Sequence, residues 1–482
     1  MSSPVRVSEI RKELGVGLIY GRELDSLLDG SHPQVSVVEL EPQTLWEKVS
    51  NRGKWYYRPN EAAIDRVAAY PLAKLMHGIG QPLGGAVPDP VEHVSLLTQT
   101  ADQLDAVWVS EHLSFNRVAT PAGVAETGFL LPPPQNTAGV RVAVRNVLDY
   151  GKALQRPVAF ETGVNYLRPR GDEMTDADFW GAVAEGADSG ILLDLHNLWC
   201  NELNGRWRVR DVIDRLPLER VWEIHLAGGM PMDGYWLDAH SGRVPEPLID
   251  IAAQVIPRLP NLGALMFELL PEHFDTVGID GVSEQVAQLS ELWRLRSPAL
   301  ARPGSTTSHV GEPTAEDLDA VRAWETSLYD VIVGSAPPCP PHPGLEDDPG
   351  VPVYRELVMD FRRGHLAQAM HYTMTLLLIG LGRQDTSELL DTYFSQWPAQ
   401  MYRALEVESF ARFLTQRSEL LDRVRYLREV LSYEHALIRA TVLGEDSQIE
   451  WTADPTSILH ALDRGHLPPP LPVVPSSMLV SA

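Results

Sequence analysis

Cysteine is scarce in this chain. Two cysteines among 482 residues, Cys200 and Cys339, cannot build a disulfide framework, a four-thiolate metal site or an iron–sulfur centre. Any metal must therefore be held by His, Asp, Glu or Asn. Long apolar runs are missing as well. The longest, near Met374 to Leu381, is too short to cross a bilayer, and residues 1–15, with Glu9, Arg11, Lys12 and Glu13, carry no apolar signal segment. The expectation is a cytoplasmic protein with no membrane partner. Basic side chains are also in deficit, 40 against 65 acidic for a net charge of −25. Such a field repels phosphate backbones, so no nucleic-acid partner is expected. What is present is ordinary globular usage, 44% apolar and 22% charged, which argues against wholesale disorder. At roughly 150 residues per domain the length allows about three domains, or two if one is a large α/β barrel.

Eight short apolar runs recur at 16–20, 35–40, 72–76, 106–109, 157–160, 191–193, 221–224 and 264–267. Segments of helical period lie between the later ones, at 91–104, 139–153, 176–188, 209–216, 248–255 and 283–293. Runs apolar on both faces and separated by helices read as parallel strands buried on both sides. Eight of them within about 250 residues predict a (β/α)₈ TIM barrel. The stretch Gly15-x-Gly17-x-x-x-Gly21 misses the dinucleotide-binding spacing by one residue, and a first barrel strand with small inward residues explains it better.

The residues that end these runs are almost all of metal-ligand type. Strand three ends at His77, strand four runs into Ser110-Glu111-His112, and strand five ends at Glu161. Strand six ends at Asp194, with His196 and Asn197 just beyond, strand seven at His225 and strand eight at Glu268; Asp238 and His240 follow strand seven. A single histidine after a strand is commonly a hydrogen-bonded structural residue. Six strands ending this way is different, because the C-terminal ends of barrel strands converge on one face. Several carboxylates sharing one low-dielectric pocket repel unless a cation neutralises them. A multinuclear metal site is the simplest explanation, and imidazole with carboxylate suits iron, manganese or zinc.

The segments His77-Gly78-Ile79-Gly80, Ser110-Glu111-His112-Leu113, Leu130-Leu131-Pro132-Pro133-Pro134, Phe160-Glu161, Leu192-Leu193-Asp194-Leu195-His196-Asn197, Ile224-His225-Leu226-Ala227-Gly228 and Asp238-x-His240, in that order, resemble the DUF692 family of multinuclear non-haem iron-dependent oxidases. The likeness covers roughly residues 15–293. It implies two or three irons, mixed Fe(II)/Fe(III), with O2 as co-substrate. The implied substrate is a cysteine-containing precursor peptide of a ribosomally made natural product. Carried across residue by residue, the implied metal ligands are His77, His112, Glu161, Asp194, Asn197, His225, Asp238, His240 and Glu268. Glu161, His225 and Glu268 are the residues expected to carry the chemistry. Thr162 and His196 stand where the family often has Asn. His196 then adds a ligand, replaces one, or points into the helix layer. The triple proline replaces a Leu-Pro-x-Pro pattern and bears on substrate contacts rather than on metals.

After residue 293 the texture changes. Residues 299–314 and 335–351 are rich in proline and small residues and read as linkers. Between them Thr314-x-x-Asp317 is a capping box that opens an amphipathic helix to about residue 332. From 354 the pattern is helical, at 357–371, 387–394, 407–413 and 418–441. The expected domains are a barrel over 1–298, a proline-rich segment with one helix over 299–352, and a helical domain over 353–482. The last carries Tyr426-Leu427-Arg428-Glu429-Val430, Tyr433-Glu434-His435, Asp454-x-x-Ser457-Ile458 and Gly465-His466-Leu467-Pro468. These segments resemble partner proteins that bind the precursor peptide for such oxidases. A separate partner protein is expected only where this domain does not fill that role. His365, His371, His435 and His466 lack ligand-like spacing, Cys200 reads as a small buried residue, and Cys339 as solvent-facing. The rival reading is a divalent-metal hydrolase or isomerase, xylose-isomerase-like or endonuclease-IV-like. A phosphoester substrate would want cations at the mouth, where Arg168 and Arg170 are the nearest.

Overall fold

The computed structural model describes residues 13–51, 54–88, 91–297, 310–334, 342 and 344–481; Cys339 and residues 298–309 of the first linker lie outside them. The chain divides into two compact units, one of residues 1–45, 60–119 and 130–353, the other of 46–59, 120–129 and 354–482.

The first unit is a closed barrel of eight parallel strands: β1 (Gly15–Ile19), β2 (Val37–Leu40), β3 (Ala73–Gly78), β4 (Val109–His112), β5 (Val158–Glu161), β6 (Gly190–Asp194), β7 (Val221–Ala227) and β8 (Ala264–Glu268), with β8 closing on β1. Helices cover the outside, so β1, β2, β5, β6, β7 and β8 are buried at every position. The glycine-rich start is β1 and not a phosphate loop. A Cβ on Gly17 would stand 2.5 Å from the Val37 carbonyl oxygen and 2.7 Å from Cε of Met266, so glycine leaves room for Met266 to fill the barrel. Toward the N-terminal strand ends Val37, Leu75, Trp108, Ala159, Trp222, Ala264 and Met266 form a dry plug. Polar chemistry is thereby confined to the other end.

Strands β3 to β8 all run further than the apolar runs that mark them in the sequence, β4 and β7 the furthest. The apolar run at 106–109 only reaches β4, which starts at Val109, pairs with Met76 and Val158, and continues through Ser110, Glu111 and His112. β7 extends two residues beyond His225 to Ala227, which pairs with Glu268. The polar residues therefore sit inside hydrogen-bonded ladders, where side-chain direction is set by the pleat.

Side-chain caps fix the surrounding helices. Asn136 accepts from the Gly139 N–H at the start of helix Thr137–Leu154, Thr175 from Asp178 at helix Asp176–Ala187, and Asp194 from Asn197 at helix Leu195–Leu203; each such cap is worth about 1 kcal/mol. The capping box at Thr314 and Asp317 forms as its sequence requires and opens helix Ala315–Val333. This helix packs on Thr137–Leu154 within the barrel unit. Arg141 pairs with Asp317 at 3.0 Å, and Trp324 donates to the Pro132 carbonyl at 2.9 Å.

The second unit is mostly helical, with His371–Leu381, Arg383–Gln396, Arg403–Thr415, Ser418–Arg423, Leu427–Leu443 and Pro455–Asp463, plus a two-stranded sheet of Ser447–Trp451 and Ser476–Val480. The periodic stretch 418–441 is broken, because Tyr426 takes φ +66 before the second helix begins. Leu366, Met370, Leu377, Tyr393, Phe410, Phe413 and Trp451 lie at its core. Inside, Arg362 pairs with Glu406 at 2.8 Å and lies over the rings of Tyr393 and Phe394. Two barrel excursions belong to this unit, the hairpin Trp46–Asn51 with Lys54–Pro59 and residues 120–129. Among the described residues no helix is long and apolar enough to cross a membrane.

Candidate metal centre

The pleat of β4 sends Ser110 and His112 to the barrel interior and Glu111 to the helix layer. There Glu111 accepts from the backbone of His112 and Gln81, at 2.9 and 3.0 Å. Register then builds the first group. His77 pairs across with Ser110, and His112 with Glu161. Oε2 of Glu161 consequently lies 3.1 Å from Nε2 of His77 and 2.9 Å from Nδ1 of His112. Nδ1 of His77 meets the Ser110 hydroxyl at 2.8 Å, and that hydroxyl donates toward Glu39 at 3.4 Å. The second nitrogen of His77 is thus held by an outer partner, which leaves Nε2 pointing at the group.

Two further groups adjoin it. His225 meets Oε2 of Glu39 through Nε2 at 2.9 Å and Oε2 of Glu268 through Nδ1 at 3.1 Å; Glu223 lies 3.7 Å from Nε2. His240 meets Oε1 of Glu268 at 3.1 Å and Oδ1 of Asp238 at 3.0 Å. By distance between donor atoms, three sets could each hold an ion: His77 with His112 and Glu161, Glu39 with Glu223 and His225, and Asp194 with His240 and Glu268. His240 keeps a left-handed backbone, φ +43, a strained state for a non-glycine residue that surrounding structure must hold.

The field in this pocket is severe. Burial pushes the Glu39 carboxyl up to about 8, with Glu223 adding to it, and burial with Glu268 pushes Glu41 up to about 7. Burial and Asp238 likewise raise Asp194. Burial opposes charge on His112, yet Glu161 outweighs it and lifts the imidazole to about 9. The same contest raises His225 through Glu39 and His240 through Asp238, and it lowers Glu161 through His112. For His77 burial wins and lowers it. Interleaved carboxylates and imidazoles of this kind can be balanced by protons or by divalent ions.

All nine residues expected from the sequence meet at this end of the barrel, but not in one role. Asn197 donates through Nδ2 to Oε1 of Glu161 at 2.8 Å and so orients that carboxylate. Asp238 lies against both His240 and His196. Cys200 is buried against the His196 ring, 3.6 Å from Nε2, and burial, with Asp238 and Asp194, pushes its thiol well up, which disfavours the thiolate. Glu39 and Glu223 went unnoticed in the sequence because they sit within apolar runs instead of ending them. A carboxylate enclosed in a strand buried on both sides, as in Val37-Val38-Glu39-Leu40 and Val221-Trp222-Glu223-Ile224, is the signal that finds them. Glu223 is held there by the Trp108 indole, 2.9 Å from its Oε2.

Comparison with known proteins bears on the same stretch. A family model described as RiPP precursor modification enzyme MbnB/TglH/ChrH matches residues 15–273. A UPF0276 protein of Caulobacter vibrioides is 34% identical over 227 residues, 44% of this chain and 79% of that one. One from Chromobacterium violaceum is 30% identical over 223 residues, 46% and 79%. A Streptomyces avermitilis relative is 32% identical over 204 residues, and the chain spans only 42% of that protein's length. Similar solved structures include D-psicose 3-epimerase from Clostridium cellulolyticum H10, at TM-score 0.37 and 11% identity over 59% of this chain and 100% of that one. Another is a xylose isomerase domain containing protein from Salmonella typhimurium, at TM-score 0.38 and 13% identity over 59% and 99%. The family match takes in more than half of the chain and every residue of the three groups, so the chain belongs to the RiPP precursor modification enzymes MbnB/TglH/ChrH, the DUF692 family.

Proposed function

We propose that this enzyme is an iron- and O2-dependent oxidase acting on a cysteine-containing precursor peptide of a ribosomally synthesised natural product. The observation that carries the reading is the convergence of three carboxylate–imidazole groups at one barrel mouth in a family described as RiPP precursor modification enzymes. The donor set fits iron: imidazoles and carboxylates, with Cys200 outside all three groups. Buried atoms left without hydrogen-bond partners support a cation as well, namely Oδ2 of Asp194, Oδ1 of Asn197 and Oε1 of Glu223, since such atoms are costly to bury unmatched.

In this reading His77, His112 and Glu161 hold one ion, Asp194, His240 and Glu268 another, and His225 with Glu39 and Glu223 borders both. Glu268 touches His225 with one oxygen and His240 with the other, so its carboxylate would serve the second and third groups together. Iron would supply the Lewis acidity that turns a substrate thiol into thiolate and the reducing power that O2 requires. Asn197 and Ser110 keep Glu161 and His77 in orientation. Trp108 and the apolar plug below exclude water from the inner side. The helical unit is proposed to capture the peptide, on the strength of its resemblance to the family's partner proteins.

The test is to incubate the iron-loaded full chain, under air and under nitrogen, with a candidate cysteine-containing precursor peptide, and to weigh the product by mass spectrometry. A mass change that requires both iron and air is expected. Turnover that persists under nitrogen, or is sustained by zinc or manganese with iron inactive, would favour a hydrolase or isomerase instead.

A further inference from the structure

We propose that His196 is a positioning residue that, together with Trp236, fixes the carboxylate of Asp238, and is not itself a metal ligand. The inference rests on the metal-centre reading and assigns a role within it to a residue whose part the sequence left open.

Both ring nitrogens of His196 are engaged. Nε1 of Trp236, an indole nitrogen that can only donate, lies 3.2 Å from Nε2 of His196, so Nε2 accepts and carries the lone pair. The proton therefore sits on Nδ1, which donates to Oδ1 of Asp238 at 2.9 Å. Indole, imidazole and carboxylate form one directed chain of hydrogen bonds. An ion on Nε2 would have to evict the indole, and an ion on Nδ1 would put the ring proton on Nε2, facing the indole N–H. The ring has no lone pair to spare. On its far side Oδ1 of Asp238 meets Nε2 of His240 at 3.0 Å, so the chain ends on a residue of the third group.

The surroundings hold this arrangement. His196 is fully buried. The backbone N–H and carbonyl of Trp236 are clamped by the Asn204 side chain at 2.8 Å each, and its ring meets Trp199 edge-on, with centroids 5.5 Å apart. Gly229 leaves the space in which the rings meet: a Cβ there would stand 2.5 Å from Nε1 of Trp236, 2.6 Å from Nε2 of His196 and 2.4 Å from the Leu237 carbonyl oxygen. The backbone N–H of Asp238 donates to the Tyr166 hydroxyl at 3.1 Å, fixing the carboxylate's base as His196 fixes its tip. Outer partners that orient a ligand in this way typically account for about 10–100-fold in metal affinity.

The experiment uses the full chain and the variants His196→Gln, His196→Ala, Trp236→Phe and Trp236→Phe with His196→Ala, titrated with Co2+ against a competing chelator. Metal count comes from elemental analysis, and the thermal midpoint of the metal-free chain is measured alongside. All variants are expected to bind as many ions as the unaltered chain. His196→Ala should weaken one equivalent by about 10–100-fold, beyond what any drop in the metal-free midpoint accounts for. His196→Gln, which still offers an N–H to Asp238, should recover part of that loss. Trp236→Phe should weaken the same equivalent, and should add nothing once His196 is Ala. Loss of a whole metal equivalent in both His196 variants would make the residue a ligand and overturn the proposal. So would unaltered affinity in both, or additive losses in the double variant. An unaltered chain that binds no Co2+ overturns the metal-centre reading and this inference with it; normal binding with indifferent variants overturns the inference alone.

Discussion

Oε2 of Glu39, on β2, lies 2.9 Å from Nε2 of His225, on β7, which follows it by 186 residues. The two strands are not neighbours, since β1 and β8 stand between them. The contact spans the barrel interior and leaves Nδ1 of His225 facing Glu268. Glu39→Gln keeps the shape of the side chain and removes its capacity to carry a negative charge. Such a variant is expected to fold and to bind metal about 10–100-fold more weakly on the His225 side. Chelator competition measures this, and unaltered affinity would detach Glu39 from the centre.

Iron content follows from the number of donors. The nine side chains expected from the sequence, with Glu39 and Glu223 added, exceed what one ion needs. Protein from iron-supplemented cells is expected to carry two or more irons per chain by elemental analysis. Ions bound to the folded state alone stabilise it by mass action, about 2.7 kcal/mol at a hundredfold excess over Kd. Stripping the metal should therefore lower the thermal midpoint, and a midpoint indifferent to chelation would count against a buried site.

Glu161→Ala and His225→Ala remove one side chain from each of two groups without touching the plug at the other end of the barrel. Both are expected to remain folded by circular dichroism, to lose metal, and to lose more than about 100-fold in activity, a larger effect than outer-partner changes produce. Wild-type iron content and turnover in both would remove them from the site.

The barrel was legible because its strands are apolar on both faces and alternate with helices, and the mouth because His77, Glu161, Asp194 and Glu268 interrupt those runs in register. Glu39 and Glu223 were not, because only the closed barrel shows that β2 and β7 turn them toward the same His225. The role of His196 was equally hidden. It depends on Trp236 and Asp238, brought back by the hairpin Met230–Met232 with Tyr235–Leu237, and a local reading cannot see that return. The break at Tyr426 was missed because its flanks are strongly helical and a left-handed residue other than glycine leaves no compositional mark.

Glu325 makes the barrel unit sensitive to pH. It is buried, accepts from the Ala86 N–H at 2.6 Å, and has its other oxygen unmatched. Burial pushes its carboxyl up to about 7. The folded chain then holds the proton more tightly than the unfolded chain, whose carboxyl has the ordinary value 4.5. Its contribution is complete below about 4.5 and is lost as pH rises through about 7. Glu325→Gln supplies a neutral group throughout. The variant should match the unaltered chain near pH 4 and exceed it near pH 8 by up to about 3 kcal/mol, since each tenfold difference in proton affinity between the folded and unfolded chain is worth about 1.36 kcal/mol. Thermal midpoints at the two pH values measure this, and a gap that does not widen with pH would refute it.

Removing the helical unit is a harder experiment than its position after the barrel implies. Residues 46–59 and 120–129 leave the barrel and belong to that unit. Glu47 accepts from the Arg403 guanidinium at 2.6 Å and from the Ala404 N–H at 3.1 Å, and Glu126 accepts from the Met401 N–H at 2.5 Å. Val49 packs with Ala404 and Val442. A chain ending at residue 353 keeps every residue of the three metal groups but bares these carboxylates and the apolar side of the first hairpin. Exposed apolar surface on an unpaired hairpin promotes association. The truncated chain is expected to bind as many irons as the full chain and to aggregate. Replacing 46–59 and 120–129 by short turns should restore a monomer in size-exclusion chromatography. If the plain truncation is already monomeric and retains full peptide oxidation, the helical unit neither shields these hairpins nor captures the peptide.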